Sequence, residues 1–228
     1  HEGLVQSWKD IFPKKGEIYF AGALENNEDT GTLQYLASTA MEAGFSTRVL
    51  DMQALDLQNG RFFDPAGELV NRCFKLYPWE WMVDESPDGC LAEMEWLEPI
   101  WKLVMSNKAI LATLYELFPD SPYVLPCYLS RPRSGLFCKK PVFSREGHNV
   151  SVVDIRDWEE YVRIAETEGD YNTGAYVYQE YVEPTAYSGR YPVIGSWIIG
   201  GEAAGIGIRE NRMEVTDNLS EFVPHIIG

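Results

Sequence analysis

The sequence predicts a mixed α+β and α/β protein, on three observations. Residues 17–50 run strand, loop, helix, strand, the order of a parallel α/β layer. Residues 139–153 read as two apolar strands joined by a short Ser/Arg/Gly loop. Gly200-Gly201 stands between the apolar runs Tyr191 to Ile199 and Ala203 to Ile208, a two-residue hairpin signal. A chain of 228 residues with 45% hydrophobic and 13% aromatic residues can bury a sizeable core, which excludes global disorder.

Taken in order, Glu17 to Leu24 forms a buried strand that opens into the polar turn Glu25-Asn26-Asn27-Glu28-Asp29. A helix follows from about Thr30, with Leu33, Leu36, Ala37, Ala40 and Met41 on its inner face and Gly44 as its stop. Thr47 to Leu50 is the next strand, and the loop after the first strand is where such layers bind ligands. Residues 60–73 read as loop and turn, punctuated by Asp64-Pro65.

From about Pro99 the pattern turns helical, with the proline in the first turn. Ser106 is placed to cap a second helix that carries Ile110, Leu111, Leu114, Leu117 and Phe118 inward. Lys108 then falls in that helix's first turn, where it opposes the macrodipole and calls for an anion; the alternative is a lysine reaching into water. Pro119 to Pro126 is a breaker-rich boundary. After the basic hairpin, Asp157 starts a helix, with Glu160 completing a capping box and Trp158, Tyr161, Val162 and Ala165 facing inward. Tyr176 to Val182 is a strand.

The formal net charge is −16, which argues against nucleic acid and anionic membrane as partners. Residues 1–100 hold 18 Asp/Glu against 7 Lys/Arg, and residues 101–228 hold 17 against 12. The acidic N-terminal part suits an amine-bearing ligand, or is simply a solvated surface. No apolar run approaches a membrane span. Cys73, Cys90, Cys127 and Cys138 make no C-x-x-C pair and read as thiols of a reducing, cytoplasmic compartment. His1, His148 and His225 form no metal set.

One stretch runs against the overall charge. No Asp or Glu occurs between Asp120 and Glu146, a gap that holds Arg131, Arg133, Lys139, Lys140 and Arg145. A cationic field around a glycine-bearing turn is what a polyphosphate needs, because backbone N–H groups can approach closely and fixed ammonium groups meet its charge. An ordinary hairpin with a basic edge is the alternative.

Five segments carry a family resemblance: "FKLYPWEWM" at Phe74 to Met82, "WLEPIWKLVMSNKAIL" at Trp96 to Leu111, "KPVFSREGHNVSVV" at Lys140 to Val153, "YQEYVEP" at Tyr178 to Pro184, and "IGSWIIGGEAAGIGIRE" at Ile194 to Glu210. In this order they resemble the glutathionylspermidine synthase-like ATP-grasp carboxylate–amine ligases. The resemblance implies an ATP-grasp fragment with a small parallel α/β subdomain: residues 1–98 as the amine-substrate subdomain, and residues 99–228 as the nucleotide-binding part with a lid at about 121–165. It implies ligation of a peptide-like acid to an amine through an acyl phosphate, with ATP and Mg²⁺ as cofactors.

By the same resemblance Lys108 and Lys140 bind the phosphates, and Ser144, Arg145, Gly147 and Asn149 belong to a flap over them. Gln179, Glu180, Tyr181 and Val182 form the adenine strand, and Arg209 steadies the transferred phosphoryl group. Asp217 and Asn218 match the family loosely as further lining residues. Glu28 and Asp29 fall where relatives hold the amine. Leu76 stands where they place a substrate-contacting threonine, and leucine cannot donate that hydrogen bond, so the acid and amine stay unassigned. The resemblance puts the metal-binding segment upstream of His1, with no metal ligands in this chain, and implies that the chain alone is inactive. A nucleotide-binding or regulatory module without ligation is the alternative, and an acidic interaction domain without nucleotide is another.

Overall fold

The computed structural model describes residues 1–157, 161–171, 174–215 and 220–226. The chain divides into two units, His1–Leu103 with Ile198–Ala204, and Val104–Trp197 with Gly205–Gly228. The fold is mixed α/β, with one parallel sheet and three antiparallel ones.

In the first unit, α1 (Glu2–Ile11) precedes β1 (Glu17–Gly22), α2 (Asn27–Glu42) and β2 (Ser46–Asp51). Three short strands follow, β3 (Asp56–Gln58), β4 (Arg61–Phe63) and β5 (Leu69–Val70), then β6 (Arg72–Leu76), α3 (Trp79–Glu85), α4 (Pro87–Cys90) and β7 (Glu95–Leu97). The main sheet has the order β2-β1-β6-β7 and is parallel throughout. β1 is buried on both faces, as a central strand of a parallel sheet should be. Ile18 and Phe20 pack with Val5, Trp8, Leu33, Leu36, Ala37 and Ala40, whereas Tyr19 and Ala21 join Phe62, Cys73, Trp79 and Trp96.

Asn26 caps α2 by accepting a hydrogen bond from the Glu28 N–H at 2.9 Å, and Gly44 follows the helix at φ +95°, which glycine adopts without strain. The predicted inner face holds for Leu33, Leu36, Ala37 and Ala40 but not for Met41, which is 61% exposed. Thr39 is buried instead, accepting from the Trp8 indole N–H at 2.8 Å and donating to the Leu36 carbonyl at 2.7 Å. A polar residue tolerates that depth because both its needs are met.

Residues 60–73 are not the loop that the sequence suggests, since β4, β5 and the start of β6 lie there. The pieces are too short to show an alternating pattern. What fixes them is Asp64, whose carboxylate accepts from the Tyr19 hydroxyl at 3.1 Å, the Arg48 guanidinium at 2.7 Å, and the Ala66 and Glu68 N–H groups, each at 2.9 Å. Those backbone donors, the Glu68 N–H foremost, hold its carboxyl below the usual range.

The short helix α5 (Leu103–Ser106) runs from the last residue of the stretch His1–Leu103 into the second unit, where Ala109–Leu117 forms α6. Ser106 closes α5 rather than capping α6. The Asn107 carboxamide takes the capping role, accepting from the Ala109 N–H at 2.9 Å, and Lys108 sits at the N-cap position. α6 buries Ala112 against Cys127 and Val177, while Leu117 and Phe118 are exposed. Five antiparallel strands follow: β8 (Cys127–Tyr128), β9 (Gly135–Pro141), β10 (Ser151–Ile155), β11 (Tyr161–Glu166) and β12 (Tyr176–Glu180), in the order β11-β10-β9-β12-β8. Residues 161–166 are therefore a strand, not the helix predicted from Asp157, and Tyr161 and Val162 are exposed rather than inward. Pairing of Val153 with Arg163 and of Ile155 with Tyr161 satisfies this backbone across the sheet. Trp158 and Glu160 lie outside the described residues.

A further antiparallel sheet joins β13 (Tyr191–Ile199), β14 (Glu202–Asn211) and β15 (Glu221–Val223) in that order. Gly200 and Gly201 both take positive φ, +60° and +87°, as the two-residue hairpin signal requires. Among the described residues no helix is long and apolar enough to cross a membrane.

Candidate functional site

β9 lies between β10 and β12, so its backbone is paired on both sides and its side chains are held at fixed heights. Alternation along the strand puts Cys138 and Lys140 on one face. Lys140 stands opposite Val177, and its ammonium donates to the Gln179 carboxamide oxygen at 2.7 Å.

Beyond β9 the chain is stapled to α6. The Lys108 N–H donates to the Val142 carbonyl at 2.8 Å, and the Lys108 ammonium donates to the Ser144 hydroxyl at 2.9 Å and to the Ser144 carbonyl. The loop itself turns through positive φ at Glu146, Gly147 and Asn149. The His148 N–H donates to the Arg145 carbonyl at 2.9 Å, the Thr167 hydroxyl donates to the Gly147 carbonyl, and Asn149 accepts from the Tyr171 N–H at 2.8 Å.

The end of β12 forms the opposite wall. Its backbone is tied on both sides, Glu180 N–H to Pro126 carbonyl at 2.8 Å and Tyr181 N–H to Leu136 carbonyl at 3.0 Å. The Tyr181 hydroxyl donates to the Glu214 carboxylate at 2.7 Å. Burial, with that hydrogen bond second, raises the Tyr181 phenol well above its ordinary range. β14 brings Arg209 to the same place, its guanidinium 5.8 Å from the centre of the Phe222 ring.

These elements enclose a cleft of about 490 Å³, lined among others by Lys108, Lys140, Ser144, Arg145, Gly147, Gln179, Glu180, Tyr181, Val182 and Arg209. Sequence reasoning singled out all ten. It also named Asn149, which is not among the lining residues; its side chain serves the turn through the Tyr171 N–H. Cys138 and Glu214 line the cleft and were missed. The alternation of β9 about Lys140 could have signalled Cys138, whereas Glu214 is joined to the cleft by its contact with Tyr181, 33 residues away. Glu28 and Asp29 belong to the other unit, in the first turn of α2 just past the carboxyl end of β1. Asp217 and Asn218 lie outside the described residues.

The cleft carries both signs: Lys108, Lys140, Arg145 and Arg209 supply cations, and Glu146, Glu180 and Glu214 supply carboxylates. Such a lining can meet a polyanion with its cations and hydroxyl or amine donors with its carboxylates. Among the described residues no group of three or more His, Cys, Asp or Glu side chains is arranged to hold a metal ion.

The whole chain, residues 1–228, matches the family described as glutathionylspermidine synthase preATP-grasp. The chain belongs to that family. The resemblance carried by its five segments is thereby borne out. It is 34% identical to a Haemophilus influenzae protein provisionally named an acid–amine ligase, over 99% of this chain and 60% of that protein. It is 26% identical to the bifunctional glutathionylspermidine synthetase/amidase of Escherichia coli, over 99% of this chain and 41% of that protein. A trypanothione synthetase of Crithidia fasciculata shares 35% identity over 56% of this chain. The glutathionylspermidine synthase-like chain thus spans 60% and 41% of the first two relatives' lengths.

Proposed function

We propose that this chain carries the nucleotide-binding part of an ATP-dependent acid–amine ligase. The observation that carries the reading is the convergence of Lys108, Lys140 and Arg209, from a helix start and two different sheets, on one cleft. In the reaction, a substrate carboxylate oxygen attacks the terminal phosphorus of ATP, ADP leaves, and an acyl phosphate forms. The amine nitrogen then attacks the acyl carbon, an amide bond forms, phosphate leaves, and the ammonium proton passes to solvent. The protein's share is to position the partners and to offset charge on the phosphoryl oxygens.

Lys108 and Lys140 are the fixed cations for the phosphates, and Arg209 is the fork for the group in transit, since a guanidinium stays ionised and can meet two oxygens. Ser144, Arg145 and Gly147 form the covering loop, and residues 179–182 receive the base. Residues 1–98 are the proposed amine-substrate part, with Glu28 and Asp29 facing the cationic end of the amine, and residues 99–228 the nucleotide part. The acid is peptide-like; the leucine at position 76 cannot donate the hydrogen bond of the threonine that relatives place there, so which acid and amine are joined stays open. Among the described residues no three His, Cys, Asp or Glu side chains are gathered to form a magnesium site.

Calorimetry with ADP and a non-hydrolysable ATP analogue tests the reading. Saturable one-to-one binding that Lys140→Ala weakens is expected. No binding of either nucleotide by the wild-type chain would overturn it.

A further inference from the structure

Tyr181 has a second use beyond its place in the base-receiving strand. Its backbone is already committed, the N–H to Leu136, so it is the hydroxyl that reaches across the cleft. That hydroxyl donates at 2.7 Å to Glu214, in the loop that follows β14, a strand of a different sheet from β12. Both side chains line the cleft. The bond therefore joins two segments of the cleft wall, the end of β12 and the loop after β14. Glu214 is solvent-exposed, and a free glutamate there would swing between rotamers and add an unfixed negative charge to a site for an anion. Tyr181 is well suited to stop this, because a phenol donates to a carboxylate while its ring has few conformations to lose.

We propose that Tyr181 is a positioning residue, a clasp whose hydroxyl fixes Glu214 and holds the cleft closed over the base end of a bound nucleotide. The inference rests on the nucleotide reading given above. A clasp acts on escape more than on entry, because the bond must break before the occupant leaves and re-forms after it arrives.

The test is stopped-flow kinetics of a fluorescent ADP analogue with the full chain, together with amide hydrogen exchange. Tyr181→Phe keeps the ring and removes the donor. It is expected to raise the dissociation rate about tenfold, the scale of a hydrogen bond to a charged group, with little change in the association rate. Glu214→Ala should match it, Glu214→Gln should restore most of the slow release through its carboxamide oxygen, and Tyr181→Phe with Glu214→Ala should be no worse than either alone. Without nucleotide, exchange at 181–184 and 212–215 should quicken together in Tyr181→Phe. An unchanged dissociation rate in Tyr181→Phe would overturn the clasp while leaving the nucleotide reading intact. A wild-type chain that binds no ADP would overturn that reading, and the exchange measurement would still decide whether the bond ties the two sheets.

Discussion

Lys140 and Gln179 face each other on neighbouring strands, ammonium to carboxamide oxygen at 2.7 Å, so the central cation of the cleft is aimed before any ligand arrives. A neutral acceptor can orient an ammonium without cancelling its charge, which a carboxylate would do.

Lys140→Ala is expected to weaken ADP binding by about 1.5–3 kcal/mol, the scale of a lost charge-assisted hydrogen bond. Gln179→Leu, which keeps the cation but frees it to rotate, should cost less. Equal calorimetric affinities for all three chains would refute the assignment.

Lys108 does two jobs, since it roots the loop at Ser144 and supplies a charge. Lys108→Met should therefore speed amide exchange at 144–149 in the ligand-free protein as well as weaken nucleotide binding. Loss of affinity with unchanged exchange would mean that the loop is anchored elsewhere.

Cys138 lines the cleft and is half-buried, whereas Cys73, Cys90 and Cys127 are buried. Burial raises the Cys138 thiol, so alkylation is expected to be slow, and slower still with ADP bound. Mass spectrometry of maleimide-treated protein checks this, and labelling indifferent to ADP would contradict it.

In the first unit, Thr39→Val is expected to destabilise by about 1–3 kcal/mol, because it leaves the Trp8 indole N–H buried without a partner. Urea denaturation measures it. Thr39→Ser, which retains the hydroxyl, should cost less than the valine.

Lys75 is 4% exposed, donates to the Tyr77 carbonyl at 2.8 Å, and lies 4.0 Å from the centre of the Trp79 ring. Burial lowers its ammonium to about 8. Between that value and about 10.4, the unfolded chain holds the proton and the folded one does not, so this group makes stability rise with pH across the window. Cys73 and Tyr77 are each pushed up to about 12 and act in the opposite sense, so the comparison must be with Lys75→Met. Wild type should gain on the variant from pH 8 to 10, and parallel curves would exclude a titrating Lys75.

What the sequence made legible was what local chemistry determines. Gly44 ends α2, two glycines force the turn at 200–201, and the charge gap before Glu146 marks the basic hairpin, whereas the polar run 25–29 hid the Asn26 cap and the start of α2 at Asn27 rather than about Thr30. Where partners distant in the chain decide, local reading failed. Residues 161–166 carry helix-compatible spacing but are drawn into β11 by β10, and 60–73 becomes strand because Asp64 gathers donors from β1 and β2. The cleft residues were legible through the five ordered segments, but Glu214 was not, since its contact is with Tyr181, far away in the chain.

Asp64 is followed by Pro65, and an aspartyl–prolyl bond is the weakest link of a polypeptide in acid, because the side-chain oxygen attacks its own carbonyl. Here both oxygens are engaged by four donors and neither is at liberty to do so. The chemical durability of the backbone at this point is thus lent by its folding. Scission at 64–65 reports that these donors have let go, and the order in which clipping and loss of structure occur on acidification distinguishes a chain that breaks because it has opened from one that opens because it has broken.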